Sequence, residues 1–503
     1  ALLSILAAWV LAIRVASTVM RREDSVSRAT ALRVGVVGTL FATAFALTTP
    51  PFMAADEPVH LQYTQLLESR QALPQTVEQR GDVTSAQAQL LLGAAATSLV
   101  QFSPDRRTPW GYPEDRALDQ QLDRLPSGDA QDSFTNASSQ PPAYYVGGAL
   151  VQAGSGGSVL DRILVLRLYS ALLFGLAVAG TVMFAREAVP RARGLAVAGG
   201  IMLAALPIAA FVGGSINPDA LLAAASAWTL AVLARILRRG VTMRRSLALG
   251  ALVGLGLLSK LTFAALLPAI ALSAAVVIYR GWRRHELRDA LLCTAAAAGL
   301  AVLIAAPYFG WAALSGRGVV FGPPGPPAPA TSLRETLTYA IDLYVGAFGP
   351  IQDRIEGSGP WQIWLGGLTG RLGWLDFGVP DAWVRRIAVV WGALFVLAVA
   401  GVLRSARARR AIPVDAVVYG LAAASLMFVI AQAGLTARLG GTPGFEQARY
   451  LLPIAALGVG GVALALRQLP GTRVRDWAAA GVVVFGLVNG TAAYLITVGR
   501  YFA

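Results

Sequence analysis

The sequence predicts an all-α integral membrane protein. We expect a polytopic helical bundle of about 11–12 transmembrane helices, with short interfacial helices in its extracytoplasmic loops. Three observations carry this prediction. Hydrophobic residues make up 55% of the 503 positions and charged residues only 14%, against ~25% charged residues in ordinary soluble domains. The mean hydropathy is +0.58, and long apolar runs recur along the chain. This composition excludes a disordered chain, a collagen-like chain and a disulfide scaffold.

A helix needs about 20 mostly apolar residues to cross a bilayer core of ~30 Å. On this criterion the spans lie at residues 32–49, 162–185, 194–212, 219–237, 246–259, 261–279, 290–313, 385–403, 414–434, 451–467 and 476–498. Residues 1–20 form an additional candidate span, in which Arg14 must snorkel toward the headgroups. The predicted organisation is an N-terminal membrane module (32–313) that includes a large loop (50–161), a second loop (314–384) and C-terminal helices (385–503).

The charge distribution indicates topology rather than nucleic-acid binding. The net charge is 42 − 28 = +14, but the arginines cluster in short loops that share one side if the spans alternate. These loops hold Arg21, Arg22, Arg28, Arg186, Arg191, Arg193, Arg238, Arg239, Arg244, Arg245, Arg280, Arg283, Arg284, Arg288, Arg404, Arg407, Arg409, Arg410, Arg473 and Arg475. By the positive-inside rule this side is cytoplasmic. We therefore expect a multi-pass protein of the bacterial cytoplasmic membrane, in contact with lipids.

The two long loops are then extracytoplasmic. Loop 50–161 holds 13 acidic residues and 6 arginines, the opposite balance to the short loops. Residues 57–72 and 84–100 have helical spacing of apolar side chains, which fits helices lying on the membrane or a small packed lid. In the second loop, the Pro-rich segment 321–330 is predicted to be extended.

The first chemistry-bearing motif, DEPVH, follows the 32–49 span and contains Asp56, Glu57 and His60. The acidic pair can cap the helix that begins near Pro58, bind a divalent cation such as Mg²⁺, Mn²⁺ or Ca²⁺, or supply a general base. His60 lies three residues after Glu57, on the same helical face. The spacing alone leaves the three roles open.

The second motif, QPPAYY, precedes the 162–185 span and contains Gln140, Tyr144 and Tyr145. Two tyrosines beside a membrane span are typical of an interfacial aromatic belt. The alternative is one wall of a sugar pocket, since aromatic rings and amides suit polyol recognition.

A third segment, SINPDA, forms a tight turn before the 219–237 span and contains Asn217 and Asp219. Helix capping is the favoured interpretation because Asn before Pro is a turn and capping signal. Direct contact with substrate is the alternative.

Two cations lie on the same side of the predicted membrane. Arg449 stands with Gln447 and Tyr450 in QARYLLP, just before the 451–467 span, and Lys260 lies in the hairpin LLSKLTF. An arginine offers a bidentate fork for phosphate, and a charge this close to the hydrocarbon is a functional hypothesis by default. Snorkelling to lipid headgroups is the alternative for both.

The motifs that are missing narrow the function. The sequence contains no phosphate-cradling Gly-rich loop ending in Lys-Ser/Thr, no Cys/His cluster of zinc-binding spacing and no Gly-x-Ser-x-Gly elbow. Acidic residues are scarce within the spans, which argues against a proton-driven transporter.

Together, DEPVH (56–60), QPPAYY (140–145) and QARYLLP (447–453) resemble motifs of the GT-C superfamily of membrane glycosyltransferases. More narrowly, the chain is similar to a bacterial family of uncharacterised polytopic membrane proteins with a DEPxH first-loop motif and a late QxRYLxP motif. The resemblance covers most of the chain from about residue 32 onward.

The resemblance implies an enzyme that transfers a sugar from a polyprenyl-phosphate donor to an extracytoplasmic cell-envelope glycan or lipid-linked acceptor. It implies a catalytic carboxylate at Asp56 or Glu57, with inversion favoured over a covalent intermediate at Glu57. Arg449, Lys260, His60, Tyr450 and Gln447 would bind the donor phosphate, and no cofactor would be strictly required. The Arg-rich, Lys-poor composition is typical of a high-GC bacterium such as an actinobacterium, which fits arabinosyl, mannosyl or galactofuranosyl transfer.

Three other functions remain alternatives. A polymerase or ligase of lipid-linked glycans would share the external site and use a different donor. A transporter of lipid-linked oligosaccharides would need polar residues inside its spans, and a non-catalytic scaffold would have no need of Asp56, Arg449 and Lys260.

Overall fold

The structure is a computed structural model. It describes residues 1–20, 26–70, 73, 116–118, 120–121, 124, 137–155, 158–192, 194–315, 330–346, 360–409, 413–441 and 446–502. The predicted helix at 84–100 and all but the last residue of the Pro-rich segment 321–330 lie outside the described residues. The predicted helix at 57–72 is observed as a helix from Glu57 to Arg70.

The described chain is almost entirely helical. Its α-helices are α1 (Leu2–Met20), α2 (Arg28–Thr48), α3 (Glu57–Arg70), α4 (Ala143–Ala153), α5 (Val159–Ala188), α6 (Leu195–Ala204), α7 (Pro207–Gly213), α8 (Asp219–Arg239), α9 (Met243–Ser259), α10 (Leu267–Arg283), α11 (Leu287–Leu314), α12 (Leu333–Val345), α13 (Gly367–Gly370), α14 (Asp381–Arg409), α15 (Val414–Leu439), α16 (Ala455–Arg467) and α17 (Thr472–Phe502). Short 3-10 helices lie at Pro190–Ala192, Leu261–Leu266 and Ala448–Ile454, and a π-helical turn lies at Gln362–Gly366. Strands β1 (Arg371–Leu372) and β2 (Phe377–Gly378) pair antiparallel, with Arg371 opposite Gly378.

Within the described residues, ten helices are long and apolar enough to cross a membrane, or eleven if the bent pair α6–α7 is one span. The prediction of an all-α polytopic membrane protein is confirmed. The candidate spans include Leu2–Val19 at the N-terminus. The predicted span 246–259 corresponds to α9, whose 17 residues run from the Arg239 end of the bundle to Lys260, which contacts Asp219 at the other end.

The predicted span 194–212 is bent rather than straight. Helices α6 and α7 meet at an angle of 62°. Pro207 is the first residue of α7, and a proline in the interior of a continuous helix would remove a hydrogen bond and clash with the preceding turn. The proline suits the first turn of a new helix, so the chain breaks just before it.

Helix α5 lies at the centre of the bundle, packed along α2 and α8. Gly35 of α2 and Gly175 of α5 allow the first of these contacts, since a Cβ placed at Gly35 would lie 2.5 Å from the carbonyl oxygen of Gly175. Small residues let membrane helices approach this closely without unfavourable contacts. Buried Phe41, Phe45 and Phe174 fill the space around the crossing.

The two ends of the bundle have different chemistry. At one end Glu187 of α5 lies 3.0 Å from Arg239 and 3.5 Å from Arg238 of α8. At the other end the segments that follow α2, precede α8, join α9 to α10 and precede α16 contact one another. These are the segments that alternation of the spans predicted to share one side.

Candidate active site

The loop between α2 and α3 wraps around the guanidinium of Arg167, a buried residue of α5. Arg167 Nη1 donates to the carbonyl oxygens of Ala46, at 3.1 Å, and Thr49, and Nη2 donates to that of Pro50 at 3.0 Å. Pro50 and Pro51 have no backbone N–H, so this part of the loop has few hydrogen-bond donors of its own. Arg167 therefore fixes the path of the chain that leads to the acidic pair.

Glu57 completes this arrangement. Its side chain is fully buried, and Oε1 accepts hydrogen bonds from Arg167 Nε at 2.8 Å and the Ile216 backbone N–H at 3.1 Å. Oε2 accepts from Arg167 Nη2 at 2.6 Å and the Phe52 backbone N–H at 3.0 Å. Both oxygens are occupied in a buried, bidentate ion pair. We call Glu57, Arg167 and the carbonyl oxygens around Arg167 the anchor.

Asp56 has the opposite environment although it is the adjacent residue. Its side chain is 43% exposed, and Oδ2 accepts a hydrogen bond from Nη2 of Arg449. Its φ of 65° lies in the left-handed region, which Asp tolerates better than most side chains. Partial burial raises the pKa of Asp56, but Arg449 above all, with help from His60 and Lys260, brings that pKa down to about 2. The carboxylate is therefore ionised at neutral pH.

Arg449 belongs to a chain of alternating charges. Its guanidinium is buried and contacts Asp56 on one side, while its Nε lies 3.9 Å from Oδ2 of Asp219 on the other. Asp219 Oδ1 accepts a hydrogen bond from Lys260 Nζ at 2.7 Å. The order Asp56, Arg449, Asp219, Lys260 thus places two cations and two carboxylates in contact, of which Arg449 and Asp219 are almost fully buried. We call these four residues the charged row.

The His60 side chain is enclosed by aromatic rings. Its Nδ1 lies 2.9 Å from the hydroxyl oxygen of Tyr145, and the tautomer decides which of the two donates. The ring of Tyr145 stacks on that of Tyr63 with centroids 3.8 Å apart. Burial above all lowers the pKa of His60 to about 3; Lys260 and Arg449 add to this lowering, while Asp56 and Asp219 oppose it. The imidazole is therefore neutral at physiological pH.

The other sequence-predicted residues surround this centre. Tyr144 donates to or accepts from Ser170 Oγ at 2.7 Å, and the backbone carbonyl of Gln140 accepts from Tyr63 and Tyr308. Asn217 Oδ1 accepts from the Asp219 backbone N–H at 2.9 Å, in the turn that leads into α8. Gln447 and Tyr450 flank Arg449, with the Tyr450 ring beneath both cations.

One prediction about the tyrosines is wrong. Tyr144 and Tyr145 are both fully buried, so they do not form a belt at the membrane interface. They pack against α3 because Gly148, one turn further along α4, lets Thr64 approach closely. The motif QPPAYY therefore supports the helix that carries His60.

The acidic pair does not fit a bridging divalent cation. Both oxygens of Glu57 already accept hydrogen bonds from Arg167 and the backbone, and Asp56 is turned toward Arg449. A metal would have to replace a guanidinium that is itself buried. Among the described residues no group of three or more His, Cys, Asp or Glu side chains has metal-binding geometry.

Two structural elements of the site were not predicted. Arg167 lies inside the predicted span 162–185, and a charge there was a signal for a functional or anchoring role. The β1–β2 hairpin closes over the loop: Trp374 Nε1 donates to the Phe52 carbonyl oxygen at 2.9 Å, and Asp376 pairs with Arg500 of α17 at 2.9 Å. No local pattern in the sequence links residues so far apart.

The family model described as "Predicted membrane protein (DUF2142)" matches residues 39–458, which include the whole charged row. The chain is a DUF2142 protein. A search of curated proteins finds no match.

Solved structures similar to this DUF2142 protein include ArnT from Cupriavidus metallidurans bound to undecaprenyl phosphate, at 18% identity and a TM-score of 0.41, covering 78% of this chain and 61% of ArnT. The apo structure of the same ArnT gives 18% identity and a TM-score of 0.43, with coverages of 83% and 77%. The oligosaccharyltransferase AglB from Archaeoglobus fulgidus, in complex with an inhibitory peptide and a dolichol-phosphate, gives 14% and 0.44, covering 94% of this chain and 56% of AglB. The chain thus spans about three fifths of the length of the first of these structures. At these TM-scores the likenesses assign no role to any residue of the DUF2142 chain.

Proposed function

We propose that this protein is a membrane glycosyltransferase of the GT-C type that moves a sugar from a polyprenyl-phosphate donor to an acceptor hydroxyl. The observation that carries the proposal is the contact between Asp56 and Arg449, beside Lys260. An ionised, partly exposed carboxylate next to two cations combines the two groups that such a transfer needs. One accepts a proton, and the others stabilise a departing phosphate.

In the proposed reaction the acceptor oxygen forms a bond to the anomeric carbon of the donor sugar. The bond from that carbon to the phosphate oxygen breaks, and its electron pair stays on the phosphate. The acceptor proton passes to Asp56. The phosphate leaves with one more negative charge, which Arg449 and Lys260 stabilise.

Asp56 is the proposed base and Glu57 is not. Both carboxylate oxygens of Glu57 already accept hydrogen bonds from Arg167 and from the backbone N–H groups of Phe52 and Ile216. A glycosyl-enzyme intermediate on Glu57 would require breaking the buried ion pair. A single displacement follows, and it inverts the anomeric centre.

Competition between the donor phosphate and Asp56 for Arg449 would activate Asp56 as the base. While Asp56 is paired with Arg449, its low pKa makes it a weak proton acceptor. A donor phosphate that binds Arg449 removes this pairing, so the pKa of Asp56 rises toward its ordinary value. The base would thus reach its working state when the donor is bound.

The proposed acceptor is an extracytoplasmic cell-envelope glycan or lipid-linked glycan, reached from the outer face of the cytoplasmic membrane. Donors carrying an arabinosyl or mannosyl unit are the first to test, because they represent the pentosyl and hexosyl classes.

The test is transfer by the purified, full-length chain in liposomes. Radiolabelled polyprenyl-phosphate sugars and a crude envelope glycan are supplied to the wild type, Asp56→Asn and Asp161→Asn. Asp161 is the matched control, since it lies in the first turn of α5 and, among the residues that the structure describes, forms its side-chain hydrogen bonds with Ser158. We expect Asp56→Asn to lower the transfer rate by roughly 10²- to 10⁴-fold and Asp161→Asn to retain it.

Two results would contradict the proposal. Wild-type rates in Asp56→Asn would remove Asp56 as the base. A folded wild-type protein that consumes none of the donors, with pentosyl and hexosyl units both represented, would reject the transferase itself.

A further inference from the structure

Asp219 lies between the two cations of the charged row. The residue is 2% exposed, and its Oδ1 accepts a hydrogen bond from Lys260 Nζ at 2.7 Å. Its Oδ2 lies 3.9 Å from Nε of Arg449, an ion-pair distance that is too long for a hydrogen bond. Within the described part of the chain, neither of these last two atoms has a hydrogen-bond partner. One carboxylate thus lies within ion-pair distance of both cations.

The Asp219 side chain is not the one that satisfies the turn before α8. Asn217 supplies the oxygen that accepts the Asp219 backbone N–H at the start of α8. The carboxylate of Asp219 forms its hydrogen bond with Lys260, 41 positions further along the chain. Because the turn is already satisfied by Asn217, the acidic side chain is available for a task outside its own helix.

Asp219, Lys260 and Arg449 lie in three separate elements. The like charges of Lys260 and Arg449 would by themselves push two of these elements apart. Lys260 lies where α9 ends and the 3-10 helix Leu261–Leu266 begins, and Arg449 lies in the 3-10 helix Ala448–Ile454. The Tyr450 ring centroid is 5.5 Å from Lys260 Nζ and 5.4 Å from Arg449 Cζ, so both cations border the same ring. A buried guanidinium and a partly buried ammonium beside the same ring repel each other unless an anion lies between them.

We propose that Asp219 is a positioning residue, whose carboxylate holds the Lys260 ammonium and the Arg449 guanidinium side by side so that both reach one phosphate group. The identity of that phosphate rests on the proposed function. The placement of the two cations by Asp219 rests on the contacts alone.

Positioning and simple electrostatics predict opposite results. Removal of a negative charge beside an anion site should tighten phosphate binding if Asp219 acts only through its charge. If Asp219 positions the cations, the loss of its charge lets them separate and weakens binding. We expect Asp219→Asn to weaken the binding of undecaprenyl phosphate to the purified, full-length protein by about 10-fold.

A double variant tests whether the effect acts through Lys260. We expect Asp219→Asn to weaken the binding of undecaprenyl phosphate by a smaller factor in the Lys260→Gln background than in the wild type, because only the Arg449 contact at 3.9 Å then remains for Asp219 to hold. Asp161→Asn is the control and should bind as the wild type does. Unchanged or tighter binding by folded Asp219→Asn, while Lys260→Gln and Arg449→Gln weaken binding, would overturn this inference and leave the proposed phosphate site intact. Unchanged binding in all of these variants would overturn both.

Chemical labelling supplies a readout that needs no ligand. Lys260 is the only lysine in the sequence, so an amine-reactive ester followed by mass spectrometry of its peptide reports on this one side chain. We expect Lys260 in Asp219→Asn to be labelled several times faster than in the wild type, because its ammonium loses a hydrogen bond at 2.7 Å. Equal labelling rates would show that Asp219 does not hold Lys260.

If Asp219→Asn does not fold, Asp219→Glu is used in its place for both measurements. This variant keeps the charge and moves the carboxylate by one methylene group. We expect weaker binding of undecaprenyl phosphate and faster labelling of Lys260 than in the wild type. Wild-type values for both would overturn the inference.

Discussion

Asp56 and Glu57 are adjacent carboxylates with opposite surroundings. The anchor around Glu57 is closed: the side chain is fully buried, and Arg167 and two backbone N–H groups occupy both oxygens. The charged row that begins at Asp56 is open at that end, since this side chain is 43% exposed and contacts one guanidinium. The two residues of an acidic pair can therefore have separate roles: Glu57 holds the backbone, and Asp56 stays accessible for chemistry.

The largest expected effect is on the anchor. Glu57→Gln leaves the buried guanidinium of Arg167 without its counter-ion, and removing one partner of such a pair costs about 3–5 kcal/mol. We expect a large drop in the thermal unfolding midpoint, or no folded protein, measured by fluorescence at one fixed scan rate. A midpoint within a degree or two of the wild type would show that the anchor does not stabilise the loop.

A much smaller effect on stability is expected at Asp56. Asp56→Asn removes a partly exposed partner, and Arg449 keeps Asp219 at 3.9 Å. We expect a loss of about 1 kcal/mol in the free energy of unfolding, within the range of exposed ion pairs. The same midpoint assay checks this. A drop as large as that of Glu57→Gln would erase the distinction between the two carboxylates and would make any loss of transfer uninterpretable.

The smallest expected effect is the pH dependence contributed by His60. The pKa of this imidazole is lowered to about 3 in the folded protein by burial, with Lys260 and Arg449 lowering it and Asp56 and Asp219 raising it. In the unfolded chain it titrates near 6.5. Between these values the unfolded state binds a proton that the folded state does not. Stability from this group is therefore complete above about pH 6.5 and falls as the pH decreases toward 3.

The measurement compares unfolding midpoints at pH 7.5 and pH 5. We expect the wild type to lose more stability over this interval than His60→Gln does. The other histidine, His285, is exposed and has a φ of 62°, so His285→Asn is a matched control that suits its backbone and should behave as the wild type. An identical pH dependence in wild type and His60→Gln would show that the imidazole is not held neutral.

The fold was largely accessible from the sequence because lipid imposes length and composition on each helix. The bend at Pro207 was also readable in principle, since proline interrupts a continuous helix. The Gly35–Gly175 crossing was not, because glycine is common in this chain and its packing partner depends on helix rotation.

The candidate site was predicted as residues but not as an arrangement. Alternation of the spans placed Asp56, Asp219, Lys260 and Arg449 on one side, and the structure brings them into contact. The division of labour between Asp56 and Glu57 depends on Arg167, which lies 110 positions after Glu57. Burial of Tyr144 and Tyr145 depends on the packing of α4 against α3, which sequence periodicity alone does not give.

The contact between Asp56 and Arg449 joins residues 393 positions apart. During synthesis, the acidic loop emerges from the ribosome long before the guanidinium that pairs with it, and the Asp376–Arg500 contact forms only when α17 has been made. A chain that terminated before the 3-10 helix Ala448–Ile454 would insert most of its helices and still lack Arg449 of the charged row. The distance along the chain thus ties the assembly of the site to translation beyond Arg449, so that shorter products remaining in the membrane would lack the complete site.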